Sequence, residues 1–166
     1  DYPRKMIYLS SYYASEELYE QYYRLLKKWK PKYIHLLPSA VYLFAKYLNE
    51  NNLIIKLDKA FSSSETLYDF QKYEIEKAFQ CSIVDDYGHI EPGIYVAGQC
   101  EEGHYHIYTN DVIAEVLEDG SLLETSLNNY SMPFIRYKVG DKVDGLHDNC
   151  SCGINTPYFK TINGRD

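Results

Sequence analysis

The first half of the chain switches between two hydrophobic periods, and that alternation restricts it to strands covered by helices. After Ser15, residues Leu18, Tyr22, Leu25, Leu26 and Trp29 recur at helical spacing and form one core-facing stripe. Pro31 stops this helix. Residues 33–37 read as a short buried strand, and Pro38 with Ser39 opens a second helix bearing Val41, Phe44, Ala45 and Leu48 on one face. The stretch 49–52, rich in Asn, closes it. Residues 59–62 form the next strand. Thr66 to Asp69 has capping-box form and starts a third helix, with Leu67, Ile75, Ala78 and Phe79 on one side. A third strand covers 82–86. This β-α-β-α-β rhythm predicts an α/β fold with a mainly parallel sheet flanked by helices.

Beyond Gly93 the pattern changes to short strands separated by turns, at 94–97, 104–108, 112–117, 121–125 and 135–139. Glu118-Asp119-Gly120-Ser121 is a hairpin turn. The second half is therefore expected to be an antiparallel sheet or a distorted barrel, with the division into 1–93 and 94–166.

The 166 residues include 17 Lys and Arg against 24 Asp and Glu, a net charge of −7, which argues against a nucleic-acid reader. The basic run 27–32 ends a helix, where cations suit the negative end of the dipole. No apolar run is long enough to span a membrane, and no secretory leader is read, so the cytoplasm is the expected location. The chain begins at Asp1, as a trimmed sequence would.

Three places carry candidate chemistry. Residues 85–93 (Asp-Asp-Tyr-Gly-His-Ile-Glu-Pro-Gly) form a tight loop at the end of a strand, the edge where open α/β sheets bind ligands. A tyrosine there can stack on a base, and Glu91 can hold a hard cation such as Mg²⁺. The bland reading is a solvated polar turn. Residues 133–141 end a strand in Gly140-Asp141, and a carboxylate at such an end can accept from two vicinal hydroxyls or simply cap a turn. Cys100, His104, His106, Cys150 and Cys152 offer the nitrogen and sulfur donors of a structural zinc, or are reduced thiols at a surface turn. Strand parity does not choose between His104 and His106. Cys81 reads as a small buried side chain.

The ordered set Ser63-Ser64-Glu65, Tyr87-Gly88-x-x-Glu91, Ile135-Arg136-Tyr137-x-x-Gly140-Asp141, Cys150-x-Cys152-Gly153 and Gly164-Arg165 resembles the phenylacetate–CoA ligase family. The nearest branch resembles the CapK-type proteins of capsular polysaccharide clusters, within the acyl-CoA synthetase, adenylation-domain and luciferase superfamily. The resemblance covers nearly the whole chain, most clearly from Lys59 to Arg165. It implies part of the large domain of an enzyme that adenylates a carboxylic acid, aryl acids among the candidates, with ATP and passes the acyl group to a thiol, usually CoA. It places Ser64 and Glu65 beside the adenine, Tyr87 stacked on it with Gly88 following, Glu91 on Mg²⁺ as the catalytic carboxylate, Asp141 on the ribose hydroxyls and Arg165 near the nucleotide at a hinge. It maps a zinc cluster onto Cys100, His106, Cys150 and Cys152. On this view 1–93 is part of a nucleotide-binding subdomain, and 94–166 carries the Cys/His cluster and ends at the hinge to a C-terminal domain.

Two departures bear on activity. Ile90 stands where the family has Ser or Thr, so His89 or a backbone N–H must meet the phosphate, or phosphate handling is weak. A Ser/Thr/Gly-rich phosphate loop and a lysine-bearing lid are not found among these residues. Residues 1–166 alone are therefore expected not to turn over. The alternatives are a nucleotide-binding module without catalysis and a zinc-stabilised structural module. The expected partners are a nucleotide and a small carboxylic acid, and the oligomeric state is not readable.

Overall fold

The computed structural model describes residues 5–12, 15–91 and 93–165. Asp1, Pro92 and Asp166, which enter the sequence reading, lie outside them. The chain divides into two compact units, Asp1–Ile83 and Val84–Asp166.

In the first unit, α1 (Glu16–Trp29) begins where the Ser15 hydroxyl accepts from the Leu18 N–H at 3.3 Å. It ends at Lys30, which takes a left-handed φ of 53° before Pro31. Of the expected apolar stripe only Leu26 is fully buried, while Leu25 and Trp29 are exposed. α2 (Pro38–Glu50) buries Phe44, Ala45 and Leu48, the face read from its spacing. α3 (Asp69–Phe79) starts later than its expected cap at Thr66. The acceptor for the Tyr68 N–H is Gln71 Oε1 at 3.1 Å, so an amide closes the first turn and Asp69 does not.

Strands β1 (Tyr33–Leu36) and β2 (Lys59–Ser63) pair in parallel, Tyr33 opposite Lys59 and Leu36 opposite Ser62. Helices on such strands must cover them, and Leu36, Phe44, Leu48, Ala60, Ile75 and Phe79 form the resulting core. Cys81 packs half-buried against it.

The second unit holds two antiparallel sheets. β3 (Ile83–His89), β4 (Ile94–Gln99), β5 (Tyr105–Ile107), β6 (Val112–Val116), β7 (Ser121–Ser126), β8 (Tyr137–Val143), β9 (Tyr158–Phe159) and β10 (Ile162–Arg165) follow in chain order. One sheet runs β3-β4-β5-β9 and the other β10-β8-β7-β6. Val96, Ala97, Ile107, Val112, Leu122, Val143 and Phe159 form the core of this unit. The turn read at 118–121 joins β6 to β7: Gly120 takes a φ of 83°, and Asp119 accepts from the Ser121 N–H and hydroxyl. The strand expected at 135–139 starts at Tyr137, because Arg136 sits at a φ of 48°. β9 and β10 were not expected; both are short and lack clear alternation. The units divide before residue 93 because β3 runs on into a hairpin with β4, whose partners all lie in the second half.

Phe79 is wholly enclosed. Phe79→Ala is expected to lower the stability of the first unit by about 3–5 kcal/mol, read as a fall in urea midpoint with unchanged slope.

Candidate functional site

Residues read from three separate motifs meet on the second unit. β3 carries Tyr87, β8 carries Asp141, and β10 sets Arg165 directly opposite Asp141. The Tyr87 hydroxyl donates to Asp141 Oδ2 at 2.8 Å, and Arg165 Nε donates to Oδ1 at 2.9 Å. Gly140 takes a left-handed φ of 90° just before the carboxylate, a conformation that favours glycine, while a Cβ there would meet the Arg165 stem only at ordinary contact distance. Tyr87 is held edge-on against Phe159 at 5.6 Å and His89 at 4.9 Å. The Tyr87 hydroxyl and the Asp141 carboxylate are thus in direct contact.

His89 and Glu124 belong to the same constellation and were not read as one from the sequence. His89 Nε2 lies 2.8 Å from the Tyr87 hydroxyl, 3.3 Å from Glu124 Oε1 and 3.7 Å from Asp141 Oδ2. Glu124 is completely enclosed, and its contact with His89 is an ion-pair distance without hydrogen-bond alignment. A glutamate amid the apolar run of β7 was the available signal. His89 turns its Nε2 inward, toward the Tyr87 hydroxyl and Glu124. The Ile90 side chain projects into solvent, and Glu91 is exposed beside it. Gly88 follows Tyr87 at an irregularity in the β3–β4 pairing.

Ser64 and Glu65 belong to the first unit. Ser64 is exposed at a φ of 72°. Glu65 accepts from the Ser39 N–H and hydroxyl, both at 2.9 Å, and so caps the N-terminus of α2, where a carboxylate also suits the dipole.

Cys100, His106, Cys150 and Cys152 place their donor atoms within 4.8 Å of one another. Cys100 Sγ is 4.0 Å from Cys150 Sγ, and Cys152 Sγ is 3.3 Å from His106 Nε2. A tetrahedral zinc with ligand bonds near 2.3 Å to sulfur and 2.0 Å to nitrogen separates its donors by about 3.6–3.8 Å. His106 Nδ1 lies 3.2 Å from the Thr156 carbonyl, to which it donates, leaving Nε2 as the ligand atom. His104 instead directs Nδ1 at Cys150 Sγ from 3.3 Å, a contact to a ligand sulfur. The four donors could hold a metal ion. The Cys150 thiol is pulled below its ordinary range, first by the Cys152 N–H and then, against burial, by His104 and His106.

Burial displaces several other groups. It raises the Tyr87 phenol far above the ordinary tyrosine range, and the bond to Asp141 adds to this. Tyr105 and Tyr108 rise for the same reasons, bonded to Asp85 and Asp86. For His89, burial favours the neutral ring, but Glu124 and Asp141 outweigh it and the pKa rises. Burial raises Glu124 although His89 opposes it.

A tyrosine whose folded pKa is raised contributes stability that is full below about pH 10 and is lost as pH climbs above the unfolded value. The stability gap between wild type and Tyr87→Phe is therefore expected to be constant through neutral pH and to shrink above about pH 10, measured by urea unfolding across a pH series.

No family model matches the chain. Protein CapK of Staphylococcus aureus is 26% identical over 148 residues, covering 86% of this chain and 33% of CapK. The chain thus spans about a third of that relative's length. Among solved structures, 2-hydroxyisobutyryl-CoA ligase, crystallised in an open conformation with 2-HIB-AMP and CoA, matches with a TM-score of 0.77. It is 21% identical, over 92% of this chain and 38% of that one. This chain shares the fold of the matching part of that ligase. Coronafacic acid ligase from Pectobacterium brasiliense shares it with a TM-score of 0.59 and 18% identity, over 91% of this chain and 33% of its own.

Proposed function

We propose that this chain is part of an AMP-forming acid–thiol ligase and carries much of its adenosine-binding surface. The observation that supports this best is the direct meeting of Tyr87, Asp141 and Arg165, drawn from three motifs, on one face of the second unit. In this reading the Tyr87 ring packs on adenine, Asp141 accepts from the ribose hydroxyls, and Arg165 offers a cation toward the nucleotide. Glu91, exposed and acidic, is the ligand for Mg²⁺, whose preferred donors are oxygens. The ligase complexes with 2-HIB-AMP and CoA support an acyl-adenylate and CoA as the parent protein's intermediate and acceptor. An aryl or related compact acid, and a tie to capsular polysaccharide synthesis through the likeness to CapK, belong to the same proposal.

Forming an acyl-adenylate requires neutralising charge that develops on the transferred phosphoryl group. Arg165 is already paired with Asp141, and His89 faces inward. Residues 1–166 are therefore proposed to bind nucleotide without releasing pyrophosphate. AMP is expected to bind with a Kd of about 1 mM, some −4 kcal/mol, by calorimetric or NMR titration. Asp141→Ala and Tyr87→Ala are each expected to weaken it, stacking on one ring being worth about 1–3 kcal/mol. Unchanged binding in both variants would remove the adenosine site from this face.

The cysteine and histidine donors are proposed to hold one structural Zn²⁺, supported by the soft S₃N set and by the carbonyl that fixes the His106 tautomer. When bound, the ion neutralises thiolate charge and ties together the ends of its ligand loops. Elemental analysis is expected to find one zinc per chain, and none in Cys150→Ser. Chelation is expected to lower the melting temperature. Apparent affinity should fall as pH drops, because protons compete for the thiolates and the imidazole. A metal-free chain of undiminished stability would favour reduced thiols at a surface turn.

A further inference from the structure

We propose that His89 and Glu124 are positioning residues that set the carboxylate of Asp141 through the Tyr87 hydroxyl, and so contribute to selectivity for a ribose-bearing nucleotide. The proposal rests on the adenosine reading above and adds two residues to it. The direction of the hydrogen bonds follows from chemistry. An ionised Asp141 only accepts, so the Tyr87 hydroxyl must donate to Oδ2 at 2.8 Å. That hydroxyl has spent its one proton and must accept at its other contact, so His89 Nε2 carries the hydrogen it directs at Tyr87 from 2.8 Å. Glu124 Oε1, 3.3 Å from the same nitrogen, favours the protonated nitrogen there. Arg165 holds the other carboxylate oxygen, leaving Asp141 little freedom to rotate.

Stability alone does not account for the pair. Glu124 is fully buried, has no well-directed hydrogen bond and lies on a strand whose neighbours Leu122 and Leu123 are buried too. An apolar pair of similar volume would fill this space without the desolvation of two ionisable groups. What the polar pair adds is an orientation imposed on Tyr87 and Asp141.

The test compares wild type with Glu124→Gln and with the double variant His89→Leu/Glu124→Leu, which removes both ionisable groups together and so leaves neither buried without the other. Each is titrated with AMP and with its 2′,3′-dideoxy analogue, and the Asp141 side-chain carboxyl resonance is followed by ¹³C NMR in the free protein. In a folded double variant the preference for AMP over the dideoxy analogue is expected to fall about tenfold, the loss of one charge-assisted hydrogen bond, and the Asp141 resonance is expected to move. A merely structural role would weaken both nucleotides equally and leave their ratio intact, overturning the proposal. Should the wild-type chain bind neither nucleotide, the adenosine reading falls. The resonance then still decides the relay: a shift in both variants upholds it, and an unmoved signal overturns it. Glu124→Gln, with nearly unchanged shape, provides the same comparison if the double variant fails to fold.

Discussion

The bond between Tyr87 and Asp141 joins the two sheets of the second unit, since β3 belongs to one and β8 to the other. Everything polar nearby is arranged by its demands. A carboxylate 8% exposed needs partners for both oxygens, and a buried phenol needs an acceptor. Asp141 satisfies the phenol, Arg165 satisfies the second oxygen, and His89 supplies the hydrogen that the phenolic oxygen can still accept. Beneath them Phe159 packs edge-on to Tyr87 and flat against Tyr105, whose own hydroxyl reaches Asp85. The apolar core of the unit thus fixes where its buried polar groups can be.

Much of this was legible in the residues themselves. Period located α2 with its buried face and the positions of β1 and β2, and turn residues located the 118–121 hairpin; β1 is less buried than read, with Leu36 alone enclosed. Period failed where local pattern and tertiary burial part. Leu25 and Trp29 keep the helical spacing of α1 yet remain exposed. Thr66 resembles a cap, but the amide of Gln71 does the work three residues into the helix. β9 is two residues long and is held by pairing with β5 and by a bridge from His147, so it carries no period of its own.

The sites divide in the same way. Tyr87 and Asp141 could be singled out because each sits in a recognisable turn or strand end, whereas Arg165 entered only through the family resemblance. Their mutual contact could not, since it depends on which strands become neighbours. His89 was read only as a stand-in for the hydroxyl absent at Ile90, and Glu124 was not singled out at all. Glu65 shows the reverse: a residue picked for a ligand also has a plain structural task at the start of α2. Both tasks would use the same carboxylate acceptor, and so sequence patterns do not separate them.

The closeness of Cys100 to Cys150, 4.0 Å between sulfurs, has a consequence of its own. That separation is nearly twice the roughly 2.05 Å of a disulfide, so the two sulfurs are separate thiols. An oxidant that bonded them would take two of the four donors out of the cluster that could hold a metal ion.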